Sequence, residues 1–289
     1  MSATEDFVEH RNLLFTVAYE MLGSAADAED VLQETWLRWA DVDRAQVRDD
    51  RAYLVRITTR LALNRMRTNA RRREAYVGPW LPEPLLTTPD VAEDVELADS
   101  VSLAMLTVLE TLRPTERAVF VLREVFDFGY DEIAAAVDKT PAAVRQIAHR
   151  ARAHVDERRP QGAPTASEHD RAMQGFLNAV STGDIQSLMD VLAPDVVLIT
   201  DGGGVKKAAL RPILGRDKVV RFMHAVTEGV DAVVDVVVVN GSPALRVLVD
   251  GELDTVASMV LEDGQVTGIY VVRNPAKLAR LDAVVTLTR

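Results

Sequence analysis

Residues 51–73 carry eight arginines and neither aspartate nor glutamate, in a chain of 289 residues whose formal net charge is −11. Apolar residues recur there at roughly helical spacing, so one face can pack on a core while the arginines line the other. Eight like charges repel unless something neutralises them, whereas an ordinary solvated helix mixes both signs. The segment therefore indicates binding to a polyanion, with nucleic acid favoured. The arginines are Arg51, Arg56, Arg60, Arg65, Arg67, Arg71, Arg72 and Arg73.

A second basic stretch lies at residues 139–152, which contain no acid. The segment 74–99 between the two stretches has seven acids and no base. An overall acidic balance ordinarily argues against DNA binding, because long-range steering follows the field of the whole protein. Here the order along the chain is basic, acidic, basic, so the local distribution matters more. The bases of the second stretch are Lys139, Arg145, Arg150 and Arg152.

Composition excludes several chemistries. The chain has no cysteine, which rules out disulfides, thiolate zinc sites and cysteine nucleophiles. Its five histidines are scattered without His-x-x-x-His spacing, so we predict neither a metal site nor a cofactor. The longest apolar runs are far too short to cross a bilayer, and residues 1–10 are polar and acidic rather than a signal sequence. We therefore expect a cytoplasmic protein without membrane contacts.

Residues 1–73 have helical patterns throughout. Ser24 with an acid three positions later resembles a capping box, which predicts a helix that ends near Ala40. Apolar residues share one face of this helix and acids fill the other. From charge alone, the acidic face is either a solvated surface or a docking surface. The acids are Asp27, Glu29, Asp30 and Glu34.

Four prolines within eleven residues prevent 74–94 from forming one continuous helix, so this segment is predicted to be an extended linker. Helical spacing resumes near Val95, and Pro114 suits the first position of a further helix. The four prolines are Pro79, Pro82, Pro84 and Pro89.

A helix-turn-helix pattern lies in the predicted domain 95–160. A short helix at Tyr130–Val137 precedes a tight turn at Asp138–Lys139, and Thr140 then caps a helix that begins at Pro141. The second helix would present polar side chains to a major groove, although a packed helical hairpin without DNA is the alternative. Those side chains are Arg145, Gln146, His149, Arg150 and Arg152.

The pattern changes beyond the polar boundary 158–167. Two helical segments lead to a strand, a glycine turn and another helix, and four strands separated by hairpin signals follow. Helices followed by an antiparallel meander predict an α+β domain over 168–289. The helices are predicted at about 168–181, 184–192 and 216–228, the strands at about 196–199, 232–239, 244–249, 254–262 and 265–273, and the hairpin turns at Asn240 and Gly241, Asp250 and Gly251, and Asp263 and Gly264.

Three motifs in a fixed order resemble a bacterial extracytoplasmic-function (ECF) sigma factor. The first is Ala-Asp-Ala-Glu-Asp-Val-Leu-Gln-Glu-Thr-Trp at 26–36, the second runs from Arg51 to Arg67, and the third is the helix-turn-helix ending at Arg152. Each motif alone is weak, but together they are specific. The resemblance implies two all-α sigma domains joined by the Pro-rich, acidic linker 74–94.

The same resemblance implies core RNA polymerase and promoter DNA as partners. The acidic helix would dock on the polymerase β′ clamp, and the helix-turn-helix would read the minus-35 element beside the β flap. The basic helix would bind the minus-10 element, while the preceding loop at about 41–50 receives an extruded base. The implied polymerase-binding residues are Asp30, Gln33 and Glu34. The implied minus-10 residues are Arg51, Arg56, Arg60, Asn64, Arg65 and Arg67. The implied minus-35 residues are Lys139, Thr140, Arg145, Gln146, His149, Arg150 and Arg152.

The last 120 residues resemble the SnoaL-like, cone-shaped (NTF2-like) extension of one ECF subgroup. The cues are Trp-Leu-Pro-Glu-Pro at 80–84, Asp-Gly-Gly-Gly at 201–204, Gly-Arg-Asp-Lys-Val-Val-Arg-Phe at 215–222 and Asn-Pro-Ala-Lys-Leu at 274–278. In such proteins the extension contacts the sigma core and tunes its activity, so the resemblance implies regulation in cis; a small-molecule ligand is left open. The implied regulatory residues are Trp80, Leu81, Leu85, Asp201, Asn274 and Lys277.

Two positions depart from the family pattern. Asp138 stands where many members have glycine in the tight turn, and aspartate tolerates a left-handed backbone only moderately. Ala276 stands where the subgroup usually has aspartate, which puts the role of that acid in doubt.

Two other classes of function stay open. One is a ligand-sensing DNA-binding regulator that represses or activates without binding polymerase, but such a regulator has no reason to carry the acidic helix 26–36. An enzyme is the other class, because cone folds can hold isomerases or cyclases that use a carboxylate or histidine base. Asp201, His224 and Asp254 are the candidates, although a shared fold does not establish chemistry. The sequence therefore favours a non-enzymatic polymerase specificity subunit.

Overall fold

The computed structural model describes residues 3–43, 45, 47–88, 91, 94–159 and 166–289. Contacts between Cα atoms divide the chain into two compact units. We call them the helical unit and the α+β unit, and each is described by itself. The predicted domain boundaries stay predictions, but the contacts group part of the predicted linker with the α+β unit. The helical unit comprises Met1–Ala75, Thr87–Arg159 and Val285–Arg289, and the α+β unit comprises Tyr76–Leu86 and Pro160–Val284.

The helical unit begins with three helices, α1 (Ala3–Leu22), α2 (Ala25–Ala40) and α3 (Asp50–Glu74), as the sequence predicts. The Ser24 hydroxyl accepts from the Asp27 amide at 3.3 Å, which satisfies one free amide at the start of α2. Trp39 is fully buried and donates its indole N–H to the Ala3 carbonyl at 2.9 Å. This contact fixes the end of α2 against the start of α1.

The rest of the helical unit consists of shorter helices. Ser102 separates the first two, and its hydroxyl caps the second by accepting from the Met105 amide at 3.1 Å. Pro114 opens the third helix, which continues into a π-helical turn at Val121–Val125. The helices are α4 (Val95–Val101), α5 (Leu103–Leu109), α6 (Pro114–Phe120), α7 (Tyr130–Val137) and α8 (Pro141–Asp156).

The predicted helix-turn-helix is formed by α7 and α8. Asp138 has a left-handed backbone, with φ 56° and ψ 55°, and the Lys139 amide donates to the Ala134 carbonyl at 3.1 Å. The Thr140 hydroxyl accepts from the Ala143 amide at 3.2 Å, which caps α8. An aspartate thus occupies the left-handed turn position for which glycine is the usual residue.

The α+β unit combines one mixed sheet with several helices. Its strands run in the order β3-β2-β7-β6-β5-β4-β1-β8. The helices are α9 (Ala166–Thr182), α10 (Ile185–Val191), α11 (Arg216–Thr227) and α12 (Pro275–Leu278). The strands are β1 (Leu86–Thr87), β2 (Leu192–Asp201), β3 (Ile213–Leu214), β4 (Ala232–Val239), β5 (Ser242–Val249), β6 (Glu252–Glu262), β7 (Gln265–Val272) and β8 (Val284–Val285).

Strands β4 to β7 form the predicted antiparallel meander. All three predicted hairpin turns have positive φ at both central residues, as type I′ turns require. Asn240 and Gly241, for example, have φ values of 53° and 72°. The sequence did not predict that β2 pairs in parallel with β7, or that Leu86 of the linker pairs with Val239 at the end of β4.

The core of the α+β unit lies between the sheet and its helices. Phe176 of α9, Leu188 of α10 and Val219 of α11 are buried in one cluster with sheet residues such as Met259 and Ile269. This is the helix-on-sheet architecture that the resemblance implied for the last 120 residues.

Some predicted features fall outside the described residues. They are positions 44 and 46 of the loop expected to receive a base, positions 89, 90, 92 and 93 of the linker, and positions 160–165 of the domain boundary. Within the described ranges, no helix is both long and apolar enough to cross a membrane. The same ranges contain no cluster of three His, Cys, Asp or Glu side chains suited to a metal ion.

Candidate functional site

The residues predicted to bind polymerase line a groove between α2 and α3 with a volume of about 490 Å³. Asp30, Gln33 and Glu34 are exposed on α2, and Leu37 exposes 59% of its surface one turn further on. An exposed leucine beside carboxylates suits a partner that offers both apolar and basic side chains. The groove is lined by Asp30, Val31, Gln33, Glu34, Leu37, Arg38, Leu61, Asn64, Arg65 and Thr68.

Ion pairs inside the groove involve two of the three predicted polymerase-binding residues. Arg65 of α3 reaches α2, where its Nε lies 3.0 Å from Asp27 Oδ1 and its guanidinium also pairs with Asp30. Glu34 pairs with Arg38 of the same helix at 2.7 Å. Arg65, predicted to bind DNA, therefore ties α3 to α2 in this structure. The exposed Glu34 pair is weak enough to exchange partners at little cost.

The other arginines of α3 have different environments. The Arg51 guanidinium lies 4.5 Å from the centre of the Phe128 ring, and that of Arg56 lies 4.6 Å from the Tyr53 ring. Arg60 donates to the Ala135 carbonyl at 2.9 Å. Two predicted DNA-binding arginines, 51 and 60, thus contact the helix-turn-helix half of the same unit.

The exposed end of α3 keeps basic charge available to a ligand. Arg67 and Arg71 are exposed, and Arg67 donates to the Asn64 side-chain oxygen at 3.1 Å. Arg73, in contrast, donates to the Leu22 carbonyl at 2.8 Å and pairs with Glu110. The like-charge repulsion along α3 is therefore relieved partly by acids of the chain itself.

Helix α8 exposes the predicted minus-35 residues. Arg145, Gln146, His149 and Arg150 are exposed, while the hydroxyl of Thr140 is used to cap the helix. Arg145 lies near the Tyr130 ring, with 5.7 Å between the guanidinium carbon and the ring centre. Two further predicted residues, Lys139 and Arg152, are also exposed.

Arg152 makes a bidentate ion pair with Glu124, with nitrogen–oxygen distances of 2.7 and 3.0 Å. The hydrogen bond to Glu124 is the main reason why the pKa of Arg152 is raised. The pair joins the middle of α8 to the π-helical turn after α6. Arg152 thus helps to orient α8 while it stays exposed, and its role at the minus-35 element stays a prediction.

Three predicted regulatory residues, Leu81, Asn274 and Lys277, lie around a fourth, Asp201, which stands at the end of β2 and has no exposed surface. Its carboxylate accepts from the Tyr76 hydroxyl at 2.6 Å, the Leu81 amide at 2.9 Å and Lys277 Nζ at 2.7 Å. Asn274 donates to the Tyr76 oxygen at 2.7 Å. We call these five residues the Asp201 cluster. It joins the linker segment, the end of β2 and the short helix α12.

Two aromatic rings surround Lys277. Its Nζ lies 3.9 Å from the centre of the Trp80 ring and 5.0 Å from that of Tyr76, and it also donates to the Leu81 carbonyl. Burial is the main cause that raises the pKa of the Tyr76 hydroxyl, and its bond to Asp201 adds to the effect, so the phenol stays a donor. Aromatic faces stabilise the ammonium charge that water no longer solvates.

The rest of the linker segment is held by the sheet. Leu81 and Leu85 are buried, with 0% and 2% of their surfaces exposed. The Leu85 amide donates to the Asn240 side-chain oxygen, and the Asn240 amide donates to the Leu85 carbonyl, both at 2.9 Å. Asn240 therefore has two roles, since it also forms the β4–β5 turn. Sequence analysis had assigned it only the turn.

The glycines after Asp201 allow the close approach of α12. A Cβ atom on Gly203, whose φ is +61°, would overlap the Asn274 side-chain amide. A Cβ on Gly202 would overlap the Lys206 carbonyl. The Gly203 amide also donates to Asp201 at 3.0 Å. Gly203 is thus a packing requirement of the Asp201 cluster, and Gly202 is a packing requirement of the turn that follows. Ala276, where the resemblance leads us to expect an acid, is exposed, and its backbone amide donates to the Asn274 side-chain oxygen at 3.0 Å.

The three candidate catalytic bases do not come together. Asp201 is held within its cluster, and His224 is exposed on α11 beside a cavity of only about 20 Å³. Burial would raise the pKa of Asp254, but hydrogen bonds from Lys206, Thr255 and Arg273 outweigh it and leave that pKa below its usual value. Each carboxylate is occupied as a hydrogen-bond acceptor, which is unfavourable for a general base.

A buried polar network in the helical unit was missed by sequence analysis. Glu20 and Arg117 have no exposed surface, and the Arg117 Nε donates to the Glu20 carbonyl at 2.8 Å. Ser100 donates to Glu20 Oε1 at 2.9 Å, and Arg117 pairs with Glu110. Glu20 is a single charged residue within an apolar helical run, and Arg117 follows Glu116 in α6, so no local signal marks the two as partners.

Comparisons with known proteins agree with this arrangement. The family model Sigma-70 region 2 matches residues 7–72, which cover α1 to α3, and the model Sigma-70, region 4 matches residues 102–155, which include the helix-turn-helix. The chain belongs to the ECF RNA polymerase sigma factor family.

Its similarity to individual members extends over almost the whole chain. ECF RNA polymerase sigma factor SigJ of Mycobacterium tuberculosis (strain ATCC 25618 / H37Rv) is 34% identical over 288 residues, covering 94% of this chain and 92% of SigJ. Probable sigma factor SigI of Mycobacterium tuberculosis (strain CDC 1551 / Oshkosh) is 32% identical over 277 residues, covering 95% and 94%. A crystal structure of Mycobacterium tuberculosis SigJ aligns with a TM-score of 0.78 at 32% identity, covering 96% of this chain and 98% of that one.

Proposed function

We propose that this sigma factor directs core RNA polymerase to its promoters by docking the α2–α3 groove on the polymerase β′ clamp. The groove carries the proposal, because Asp30, Gln33 and Glu34 line one cleft of about 490 Å³ together with the exposed Leu37. Leu37 supplies apolar area to bury, and the carboxylates select a basic partner. The helix-turn-helix half would contact the β flap.

The exposed polar and basic side chains of α3 and α8 form the proposed DNA-binding surfaces. Asn64 and Arg67 would contact the minus-10 element, and Arg145, His149 and Arg150 would contact the minus-35 element, since all five are exposed. Gln146 and Lys139 flank the second surface. Arg56 is half-buried beside Tyr53 and would contact the phosphate backbone of the DNA. Arg65 and Arg152, which are ion-paired, and Thr140, which caps α8, position these helices.

The free protein is proposed to be a closed form. The Arg60 guanidinium donates to the Ala135 carbonyl and that of Arg51 lies over the Phe128 ring, so both exposed side chains hold α3 to the part of the unit that contains the helix-turn-helix. Use of both arginines on DNA requires release of the helix-turn-helix from α3. Polymerase would select the released form. Together with the net charge of −11, this predicts weak DNA binding by the free protein.

The α+β unit is proposed to regulate the sigma domains in cis. The Asp201 cluster supports this role, because it holds residues 76–86, which lie in the chain between the two matched sigma regions. Holding the middle of the connection shortens the part that is free to extend. The domain would thereby take the place of a separate anti-sigma factor. This role requires no ligand, and whether a small molecule also binds the α+β unit is left open.

Regulation rather than catalysis is the proposed role because the candidate bases are committed elsewhere. Asp201 accepts four hydrogen bonds, from Tyr76, Leu81, Gly203 and Lys277. Its charge therefore stabilises the attachment of the linker.

The docking proposal is tested by the double variant Gln33→Ala/Glu34→Lys. Both side chains are exposed and Glu34 pairs only within its own helix among the described contacts, so the fold should persist. We expect its affinity for core polymerase to fall at least tenfold in a titration with fluorescently labelled protein. Glu9→Lys, the same charge change on an exposed residue of α1 outside the groove, is the control. Equal affinities for wild type and the double variant would refute the docking surface.

A further inference from the structure

The last five residues of the sequence pack within the helical unit rather than the α+β unit. Leu287 exposes only 2% of its surface. The Thr288 backbone amide donates to the hydroxyl of Thr16, in α1, at 3.1 Å. Arg289 Nε lies 2.9 Å from Asp94 Oδ2, and the same guanidinium pairs with Glu96. Segment 285–289 therefore contacts both α1 and the start of α4.

Helices α1 and α4 also contact each other beside this segment. Glu20 follows Thr16 by one helical turn, so the two side chains lie on the same face of α1. Glu20 accepts from the Ser100 hydroxyl of α4 at 2.9 Å, and both residues are buried. One face of α1 thus binds α4 through Glu20 and segment 285–289 through Thr16. Arg289 joins segment 285–289 to the other end of α4, through Asp94 and Glu96.

Helix α4 is positioned to transmit this contact. It ends at Val101 and α5 begins at Leu103, with Ser102 alone between them. The match to sigma region 4 begins at residue 102, and α1 belongs to the match to region 2. Because a single capping residue joins the two helices, α4 and the start of region 4 have little freedom to move independently. Holding α4 on α1 therefore restrains region 4 relative to region 2.

We propose that segment 285–289 is an intramolecular clamp that fastens α4 to α1 and must be released when region 4 separates from region 2. The site on the sigma domains accepts three features of the segment: the buried leucine, the backbone amide opposite Thr16, and the guanidinium between the carboxylates of Asp94 and Glu96. Its effect on polymerase binding rests on the proposed function.

The clamp predicts a definite cost for partner binding. If polymerase binds only the released form, its apparent affinity is reduced by the fraction of molecules in that form. Loosening the clamp should therefore tighten polymerase binding. It should also expose the α4 amides to solvent in the free protein, because local opening determines the rate of hydrogen exchange.

The test uses the full chain with Arg289→Glu, which places a negative charge against Asp94 and Glu96. We expect hydrogen exchange at the amides of α4 to accelerate about three- to tenfold, and affinity for core polymerase to rise by a similar factor. The charge swap Arg289→Glu/Glu96→Arg should restore both values, since Glu96 is exposed and tolerates the change. Asp94 stays unchanged because it caps α4.

Two controls separate the clamp from general effects. Arg280→Glu makes the same charge change at an exposed residue of the α+β unit and should behave as wild type. Thr288→Ala keeps the backbone amide that makes the bond to Thr16, so it should also change neither value. Wild-type exchange of α4 in Arg289→Glu would overturn the clamp, as would faster exchange with unchanged polymerase affinity. If wild type itself fails to bind polymerase, the proposed function is wrong, and the α4 exchange alone decides whether the clamp exists.

Discussion

Lys277 and Asp201 form an ion pair of 2.7 Å in which the carboxylate has no exposed surface. A charge buried to this extent is stable only while every lone pair keeps a partner. Tyr76 and the Leu81 amide, both from the linker segment, are two of those partners. The linker is therefore part of the site that stabilises Asp201, and its release leaves a buried charge without its full set of donors.

The first prediction concerns Lys277→Met, which removes the ammonium and leaves Asp201 buried. We expect the free energy of unfolding of the α+β unit to fall by about 3 kcal/mol, the usual scale for breaking a buried ion pair. Hydrogen exchange at residues 76–86 should accelerate as well. Urea unfolding and exchange measurements check both effects. Lys207→Met is the control, because Lys207 is exposed and accepts from Arg273 through its backbone carbonyl, which the substitution keeps. It should change neither quantity. An equal loss of stability in this control would contradict the prediction.

A second prediction ranks the partners of Asp201. Tyr76→Phe removes one donor but leaves Leu81, Gly203 and Lys277 in place. We expect a loss of about 1 to 2 kcal/mol, since one hydrogen bond to a charged group is removed without isolating the charge. The same urea series measures it. A loss larger than that of Lys277→Met would show that the phenol, and not the ion pair, dominates the cluster.

Local features of the fold could be predicted from the sequence, and long-range pairings could not. Thr140 with Pro141 marks the start of α8, and Asn240 with Gly241 marks a hairpin, because capping and positive φ depend on neighbouring residues. The parallel pairing of β2 with β7 has no such mark. It depends on which buried strands meet in the finished core.

The candidate sites follow the same division. The acids of α2 and the arginines of α3 and α8 were found from charge and resemblance, but charge patterns did not reveal which arginines the fold itself uses. Arg65, for example, pairs with Asp27 and Asp30 across two helices. Lys277 meets Leu81 across 196 positions. Glu20, buried against Ser100, carried no signal at all in the sequence.

A third prediction is a pH dependence that arises from Glu20. Burial raises the pKa of this carboxyl from 4.5 to about 8, against the opposing effects of the Ser100 hydrogen bond and the Arg117 charge; nearby Asp99 raises it further. Between these values the folded protein holds a proton that the unfolded chain has released. The free energy of unfolding therefore falls as pH rises from about 4.5 to 8, by up to about 1.4 kcal/mol per pH unit from this group.

Glu20→Gln should remove that contribution, because the amide stays neutral at every pH. The free energy of unfolding of the variant, minus that of wild type, should therefore increase steadily from pH 5 to pH 8 when both proteins are unfolded with urea. Curves that run parallel over this range would mean that Glu20 is ionised in the folded protein.

The fourth prediction tests the turn of the helix-turn-helix. Asp138 has a φ of 56°, a region in which a Cβ atom is unfavourable. Asp138→Ala should lower the free energy of unfolding by about 1 kcal/mol, whereas Asp138→Gly should not lower it, because glycine adopts this conformation without strain. Thermal unfolding of the two variants measures the difference. Equal melting temperatures would indicate that the turn relaxes to another backbone conformation.

Run-off transcription with core RNA polymerase tests the central claim most directly. On promoter templates, the wild-type protein should give specific transcripts, while Arg67→Glu/Arg145→Glu, which reverses one exposed charge on each proposed DNA surface, should give almost none. Arg211→Glu, at an exposed arginine of the α+β unit, should match wild type. Full activity of the double variant, or no specific transcript with wild type, would contradict the account.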